Sequence, residues 1–488
     1  MDSVNDLPVY EDDKTSLMKR SNRIAPHYRQ LLLQLLTLLL LFSCSEGGEE
    51  PPAGEPPQLV SSDPANGETD VAEGITEITL RFNMNVTLAP SSLITLNGEQ
   101  VTNLWRGLEG ELKMRVPPLL AATDYTLLLP AYTVKGPTGL SNPSEIRITF
   151  KTRTPAPPRE GLSPQAQKLL QFLKEKEGMA TLSGTMANVA WNIHEAEWVQ
   201  HHTGKWPAIN CFDYVHLQSS PANWIDYGKT SVVEEWWNSG GVVAASWHWN
   251  VPANSGEEGK YSFYWGSKPD ETRFDVKKID DPASEEYKRM IADIDKLSGY
   301  LKLLKVKNIP VLWRPLHEAA GNIGAYPGGE AWFWWGAGGA ELYKKLWRLM
   351  FDRMTRHHGL DNLLWVWTSQ VTDPDWYPGD DYVDMVGRDI YNEQAASTIK
   401  SQFTTLQNRY PGKPVALSEC GNVTTISAQW NAGAKWLWFM PWYDYDRTLD
   451  PGSEAFQEKS HQHAPIVWWE DALAQPYVLT RDELPDLK

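Results

Sequence analysis

Apolar and polar residues alternate with a period of two along residues 58–152. The apolar members of two such runs are Ile78, Leu80, Phe82 and Met84, and Ile146, Ile148 and Phe150. Turn sequences such as residues 63–67 (Asp-Pro-Ala-Asn-Gly) and 97–98 (Asn-Gly) separate the runs. Alternation places every second side chain on the same face of a strand. Short alternating strands over this length predict a small all-β domain, an antiparallel sandwich.

The pattern changes after residues 153–164, where four prolines predict a stiff linker. Short apolar runs then alternate with stretches of helical periodicity. The runs predict eight strands, at residues 178–184, 206–214, 241–249, 309–318, 362–370, 382–391, 413–421 and 434–442. The clearest helix is predicted over residues 284–304, with Ser284 as N-cap and an apolar stripe on one side.

Eight strand–helix units within residues 165–488 predict an α/β domain folded as a (β/α)8 TIM barrel. An open doubly wound sheet is the structural alternative. Such sheets commonly carry a glycine-rich phosphate loop after the first strand, and none follows residues 178–184. The barrel is therefore the predicted fold, and it gathers the carboxyl ends of all eight strands on one face.

The amino-terminal residues predict export from the cytoplasm. Residues 31–43 are almost entirely apolar and follow a basic region. They are shorter than the roughly 20 residues that span a bilayer, so residues 1–43 are interpreted as a leader with a signal peptide. Residues 41–44 (Leu-Phe-Ser-Cys) resemble a bacterial lipobox, which implies cleavage before Cys44 and lipid attachment to its thiol. A transmembrane anchor, or an ordinary signal peptide with an incidental cysteine, is the alternative.

Residues 44–57 are acidic and then rich in proline and glycine, a composition that predicts a flexible tether. Glu46, Glu49 and Glu50 lie directly behind Cys44 and resemble the surface-export signal of Bacteroides-type lipoproteins. We therefore expect a protein anchored by lipid in the bacterial outer membrane and facing the cell surface. A periplasmic orientation is the alternative, because a solvated linker also explains the acidic residues.

Composition narrows the class of ligand. The formal net charge is −17, so no basic stripe is available to neutralise phosphates, and a nucleic-acid partner is excluded. All of the 24 tryptophans except Trp105 follow residue 160. Aromatic rings stack on the C–H faces of sugars, so this concentration favours a carbohydrate cleft in the second domain, with a tryptophan-rich core as the alternative. Cys44, Cys211 and Cys420 have no metal-binding spacing, and no metal site is predicted.

Two glutamates end predicted strands. Residues 311–318 are an apolar run that ends in His317 and Glu318, and residues 414–421 are a similar run that contains Glu419. Two carboxylates at one mouth of a barrel are the requirement for retaining glycoside hydrolysis. Arg314 is expected on the same strand face as Glu318, close enough to hydrogen-bond Glu419. The alternative is that each glutamate merely caps a strand.

The residues around these glutamates resemble glycoside hydrolase family 26, whose known members are mainly endo-β-1,4-mannanases. The matching segments are residues 313–318 (Trp-Arg-Pro-Leu-His-Glu), 332–336 (Trp-Phe-Trp-Trp-Gly) and 418–421 (Ser-Glu-Cys-Gly). The resemblance covers about residues 165–485. It implies a barrel without a cofactor, with Glu318 as acid/base and Glu419 as nucleophile. It also implies that His317 contacts the sugar at the scissile bond and that Tyr391 donates its hydroxyl to the nucleophile.

Aromatic residues at other strand ends are candidates for substrate binding. His248 and Trp442 are interpreted as walls of the sugar site, with Trp247 beside them and Trp265 and Phe333 as further platforms. The expected substrate is a β-mannan-type polysaccharide and the expected state a monomer. A β-1,3-xylanase or mixed-linkage β-glucanase is the alternative within the family, and a non-catalytic surface glycan-binding lipoprotein is the alternative of another class. Residues 58–152 resemble a bacterial Ig-like domain, for which a spacer role is expected and sugar binding through Trp105 is the alternative.

Overall fold

The structure is a computed structural model that describes residues 54–69, 71, 75–89, 93–117, 119–120, 122–152, 159–220 and 225–488. The predicted leader, Cys44 and most of the predicted tether lie outside the described residues. None of the helices within these ranges is long and apolar enough to cross a membrane.

The amino-terminal domain is a β-sandwich, as the alternation predicts. Its strands are β1 (Leu59–Asp63), β2 (Glu77–Phe82), β3 (Thr87–Leu88), β4 (Thr95–Leu96), β5 (Glu99–Gln100), β6 (Asn103–Arg106), β7 (Glu111–Arg115), β8 (Asp124–Leu129), β9 (Val134–Lys135) and β10 (Ile146–Lys151). One sheet has the order β1-β2-β7-β6 and the other β10-β8-β4-β5, with antiparallel pairing in both. The predicted alternating residues Ile78, Leu80 and Phe82 are buried in the core between the sheets.

The second domain is built on eight parallel strands. They are β11 (Thr181–Met186), β12 (Ile209–Asp213), β13 (Val242–Trp247), β16 (Val311–Pro315), β17 (Leu363–Ser369), β18 (Met385–Tyr391), β19 (Val415–Gly421) and β20 (Trp438–Pro441). Each pairs with the next along the chain, and β20 and β12 both pair with β11, so the sheet closes into a barrel. A short hairpin, β14 (Val251–Pro252) and β15 (Tyr261–Ser262), follows β13, and β21 (Val478–Leu479) extends the sheet beside β11.

Helices surround the barrel. They are α1 (Pro164–Lys176), α2 (His194–Thr203), α3 (Ser231–Asn238), α4 (Glu285–Lys305), α5 (Ala340–Phe351), α6 (Ala396–Arg409), α7 (Ile426–Ala432), α8 (Tyr445–Thr448) and α9 (Ile466–Leu473). The predicted cap of α4 is confirmed, because the Ser284 side chain accepts a hydrogen bond from the Tyr287 amide. Pro164, assigned to the linker from sequence, is the first residue of α1, where proline's missing N–H costs nothing.

Tryptophans fill the layer between strands and helices. Trp313 on β16, Trp365 on β17 and Trp347 on α5 are fully buried, and successive ring centroids lie 6.5 and 5.6 Å apart. Large aromatic rings bury much apolar area for each residue ordered, so this layer stabilises the packing of helices on the barrel. Part of the tryptophan excess therefore belongs to the core and not to a sugar cleft.

The fourth strand is shorter than predicted. It ends at Pro315 instead of continuing to Glu318, so the expectation that Glu318 shares a strand face with Arg314 is wrong. Leu316 and Glu318 have φ angles of 49° and 50°, in the left-handed region that a strand cannot contain. Glu318 is thus presented by a turn above the barrel, not by the strand itself.

Candidate active site

Glu318 is buried in a turn whose backbone is fastened by aromatic side chains. Trp335 Nε1 donates to the His317 carbonyl at 3.0 Å, and the Tyr343 hydroxyl donates to the Leu316 carbonyl at 3.1 Å. A Cβ on Gly336 would stand 1.7 Å from the Ala319 carbonyl oxygen, so only glycine permits this approach. Left-handed backbone at a bulky residue is costly and persists only where surroundings enforce it, which is typical of functional sites.

Glu419 reaches the same face from within β19, and hydrogen bonds hold both of its carboxylate oxygens. Arg314 Nη2 donates to Oε2 at 3.0 Å and the Tyr391 hydroxyl donates to Oε1 at 2.5 Å. Arg314 Nη2 also donates to Asp389, whose other oxygen accepts from the Ser418 hydroxyl at 2.8 Å. The predicted approach of Arg314 to Glu419 is thus present, although it does not arise from a face shared with Glu318.

The electrostatics of this cluster favour an ionised Glu419. Burial lowers the pKa of Arg314, but the charges of Asp389 and Glu419 outweigh it and raise that pKa above its ordinary value. Arg314 Nε is held by the Thr368 hydroxyl at 3.0 Å, so the guanidinium cannot swing away from the two carboxylates. A fixed cation that hydrogen-bonds a buried carboxylate stabilises its charged form.

The two predicted catalytic carboxylates lie close together. One oxygen from each of Glu318, Asp389 and Glu419 lies within 4.8 Å of the others. Retaining glycosidases hold their two carboxyl groups about 5–5.5 Å apart, whereas inverting enzymes need about 6.5–9.5 Å for an intervening water. The spacing of Glu318 and Glu419 therefore fits double displacement. Three clustered carboxylates could also attract a metal ion, but here Arg314 already supplies positive charge to two of them.

His248, which follows β13, lies beside the turn that carries Glu318. Its ring centroid is 4.5 Å from that of His317 and 5.7 Å from that of Trp442, both in edge-to-face geometry. All three side chains are buried, so they pack as one cluster beside Glu318. The structure therefore brings together Glu318, His317, His248 and Trp442, and, through Glu419, also Tyr391 and Arg314.

The remaining platform candidates lie in different surroundings. Phe333 is buried 5.4 Å from the His317 ring and stacks on Trp335 at 4.6 Å. Trp247 is fully buried and stacks on Trp249 at 4.1 Å, so it presents no accessible face in this conformation. Trp265 is partly exposed, and the Arg273 guanidinium covers its ring at 4.6 Å. Phe333 thus packs against the His317 and His248 rings, whereas Trp247 packs against Trp249, and both are buried.

Sequence reasoning missed two buried carboxylates at the site. Asp389 stands two residues before Tyr391 on β18, and Asp213 is the last residue of β12. Residues two apart on a strand share a face, so Tyr391 should have drawn attention to Asp389. Asp213 gave a weaker signal: it is an acid at the end of an apolar run, as Glu318 and Glu419 are.

Comparison with known proteins agrees with this geometry. The model described as Glycosyl hydrolase family 26 matches residues 161–475, and the model described as Bacterial Ig-like domain matches residues 53–152. The solved structure of the GH26 domain of an endo-beta-mannanase/endo-beta-glucanase from Prevotella bryantii is similar to this chain, with 36% identity and a TM-score of 0.59. The match covers 67% of this chain and 98% of the chain in that structure.

Two curated relatives are similar over the second domain. Mannan endo-1,4-beta-mannosidase of Thermothelomyces thermophilus is 34% identical over 323 residues, which are 65% of this chain and 61% of that protein. Mannan endo-1,4-beta-mannosidase A of a Piromyces species is 32% identical over 333 residues, which are 66% of this chain and 49% of that protein. The chain thus spans between about half and three fifths of these two relatives' length.

Proposed function

The chain belongs to glycosyl hydrolase family 26, and from this membership we propose that it is a retaining endo-β-1,4-mannanase. Its substrate would be mannan, galactomannan or glucomannan, cleaved at internal β-1,4-mannosidic bonds. The observation that carries the proposal is the pair of carboxylates, with oxygens of Glu318 and Glu419 within 4.8 Å at the carboxyl ends of the barrel strands. The relatives named above support mannan as the substrate.

In the first step the Glu419 carboxylate attacks the anomeric carbon while Glu318 protonates the departing glycosidic oxygen. A glycosyl ester on Glu419 forms and the leaving sugar takes the proton. Tyr391 holds the attacking carboxylate in place through its 2.5 Å hydrogen bond. That bond must weaken as negative charge leaves the oxygen, so its contribution is to orient the carboxylate before attack.

In the second step Glu318, now a carboxylate, takes a proton from water as the water attacks the anomeric carbon. The ester bond breaks, Glu419 regains its charge, and the product keeps the β configuration. Arg314 stabilises the returning carboxylate at 3.0 Å. The same residue thus serves as acid and then as base, as the retaining pathway requires.

A product profile on purified polysaccharides tests the proposal. Galactomannan and glucomannan should yield mixed oligosaccharides early, with a rapid fall in viscosity, and the new reducing ends should first appear as the β anomer by NMR. Mixed-linkage glucan and β-1,3-xylan serve as the comparison substrates. Faster cleavage of either of these would assign the alternative activity, and binding without cleavage of any would refute a hydrolase.

We also propose that the protein is a lipoprotein anchored at Cys44 and displayed outward from the outer membrane. The support is the sequence of residues 31–50 alone. A single acyl chain binds membranes only marginally, whereas a diacylated cysteine holds stably. We expect Cys44→Ala to release the protein from membranes with unchanged catalytic constants.

Orientation is tested on intact cells. Cells that display the enzyme should hydrolyse polymer too large for a porin, and added protease should abolish that activity. Activity that appears only after lysis would instead place the enzyme on the periplasmic face.

A further inference from the structure

A buried carboxylate on the second barrel strand binds the imidazole that walls the cleft. Asp213 Oδ2 accepts a hydrogen bond from His248 Nδ1 at 2.5 Å, and Oδ1 accepts from the His248 amide at 3.2 Å. Asp213 and His248 are both almost fully buried. Both carboxylate oxygens therefore serve the same residue, which fixes its backbone and its ring together.

The pairing determines which ring nitrogen carries the proton. Burial raises the pKa of Asp213, but the positive charge that His248 carries when its ring is protonated, together with the hydrogen bonds that His248 donates, outweighs that effect, and the pKa lies below its ordinary value. An ionised carboxylate only accepts hydrogen bonds, so Nδ1 must be the N–H in this contact. In the neutral ring Nε2 then carries the lone pair and acts as acceptor.

The other nitrogen of the ring, Nε2, is not bound by Asp213. Within the described part of the chain, Nε2 of His248 makes no hydrogen bond, whereas Nδ1 is fully used. The ring stands 4.5 Å from His317, the residue before the acid/base, and 5.7 Å from Trp442. An acceptor placed among these residues suits a sugar. One hydroxyl of the sugar can donate a hydrogen bond to the acceptor while the C–H face of the sugar ring rests on an indole.

We propose that Asp213 is a positioning residue that keeps the proton of His248 on Nδ1 and thereby presents Nε2 as acceptor to a hydroxyl of the bound sugar. The identity of that sugar rests on the proposed function. The tautomer does not, because it is a property of the enzyme without substrate. If Asp213 had only a structural role, it would join the ends of β12 and β13, and the tautomer of His248 would not depend on it.

The tautomer is tested first, by nitrogen-15 NMR of protein labelled at its histidines. The signal lost in His248→Gln identifies the residue. It should show the Nδ1–H form in the unsubstituted enzyme and shift toward the Nε2–H form in Asp213→Asn, because the amide can donate to Nδ1. An unchanged signal in Asp213→Asn would overturn the proposal.

Kinetics on mannohexaose tests the consequence for substrate. Asp213→Asn should lower kcat/KM by about tenfold, the usual effect of losing one neutral hydrogen bond to substrate. Because Asp213 acts through His248, the double variant with His248→Gln should match His248→Gln alone within about twofold. If the loss of kcat/KM in the double variant equalled the product of the two single losses, Asp213 would act independently of His248, and the mechanism would be refuted.

A matched control separates positioning from stability. Asp295 on α4 binds His358 Nε2 at 2.6 Å and Arg353, away from the barrel mouth and partly exposed. Asp295→Asn breaks a carboxylate–imidazole pair of similar length and should leave kcat/KM unchanged. An equal loss of activity in both variants at matched unfolding temperatures would overturn the proposal. If the unsubstituted enzyme fails to cleave mannan, the function is wrong, while the NMR experiment still decides the role of Asp213.

Discussion

The two sides of the cleft hold their glutamates by different means. On one side Glu419, the proposed nucleophile, lies within a strand, and Arg314 and Tyr391 bind its side-chain oxygens. On the other side Glu318, the proposed acid/base, follows the end of its strand, and the hydrogen bonds from Trp335 and Tyr343 fasten the backbone of its turn. A nucleophile must stay charged and fixed, whereas an acid/base must exchange a proton in each step. The difference in support matches the difference in task.

Removing the nucleophile should have the largest effect. Glu419→Ala should lower kcat by several orders of magnitude, because no other group can form the glycosyl ester. Azide should restore turnover and yield a glycosyl azide of inverted anomeric configuration, identified by NMR. Activity within tenfold of the unsubstituted enzyme would rule out the assignment, provided that circular dichroism shows an intact fold.

Removing the acid should have an effect that depends on the leaving group. Glu318→Ala should lower kcat/KM on polymeric mannan by about 10²- to 10⁴-fold, the usual worth of a general acid. The loss of kcat/KM should be far smaller on activated aryl mannosides than on polymer, because their leaving groups need little protonation. Equal losses on aryl substrates and polymer would argue against Glu318 as the acid.

Removing the cation should act mainly on the Glu419 side, where Arg314 makes its hydrogen bonds. In Arg314→Met, Asp389 and Glu419 remain buried without their cation, which costs about 3–5 kcal/mol in free energy of unfolding. Activity should fall about 10- to 100-fold, and the acid limb of the pH–rate profile should move to higher pH, because a buried carboxylate without a cation ionises less readily. Arg353→Met, which breaks a partly exposed pair with Asp295, should leave the profile unmoved.

The smallest effect is expected from the acid-side turn. Tyr343→Phe removes the 3.1 Å hydrogen bond to the Leu316 carbonyl and should cost about 1–3 kcal/mol in free energy of unfolding, the penalty of an unsatisfied buried acceptor. Urea unfolding followed by tryptophan fluorescence measures it, since all tryptophans except Trp105 lie in the barrel domain. If the comparison is right, polymer cleavage should suffer more than aryl mannoside cleavage. Equal losses would mean that the turn does not specifically position Glu318.

The sequence determined the elements with strong local patterns. Alternation at Ile78, Leu80 and Phe82 predicts the sandwich face that the structure buries. Ser284 predicts the start of α4, because an N-cap acts over only three residues. Eight apolar runs predict eight parallel strands in the observed order. The motif around Glu318 and the run that contains Glu419 are likewise local, so the pair and its family could be named from sequence alone.

Only the tertiary structure decided how those residues are held. Beyond the end of β16 at Pro315, the Leu316 and His317 carbonyls accept hydrogen bonds from Tyr343 and Trp335, 27 and 18 residues further along the chain, and such contacts set no local period. Asp213 and Asp389 look like ordinary strand acids until the closed barrel places them against His248 and Arg314. Trp247 and Phe333 were both candidate platforms from the sequence, yet both are buried, the first against Trp249 and the second against the His317 and His248 rings. Contacts between strands distant in sequence fix these positions, because barrel closure, and not side-chain periodicity, decides which strand ends meet.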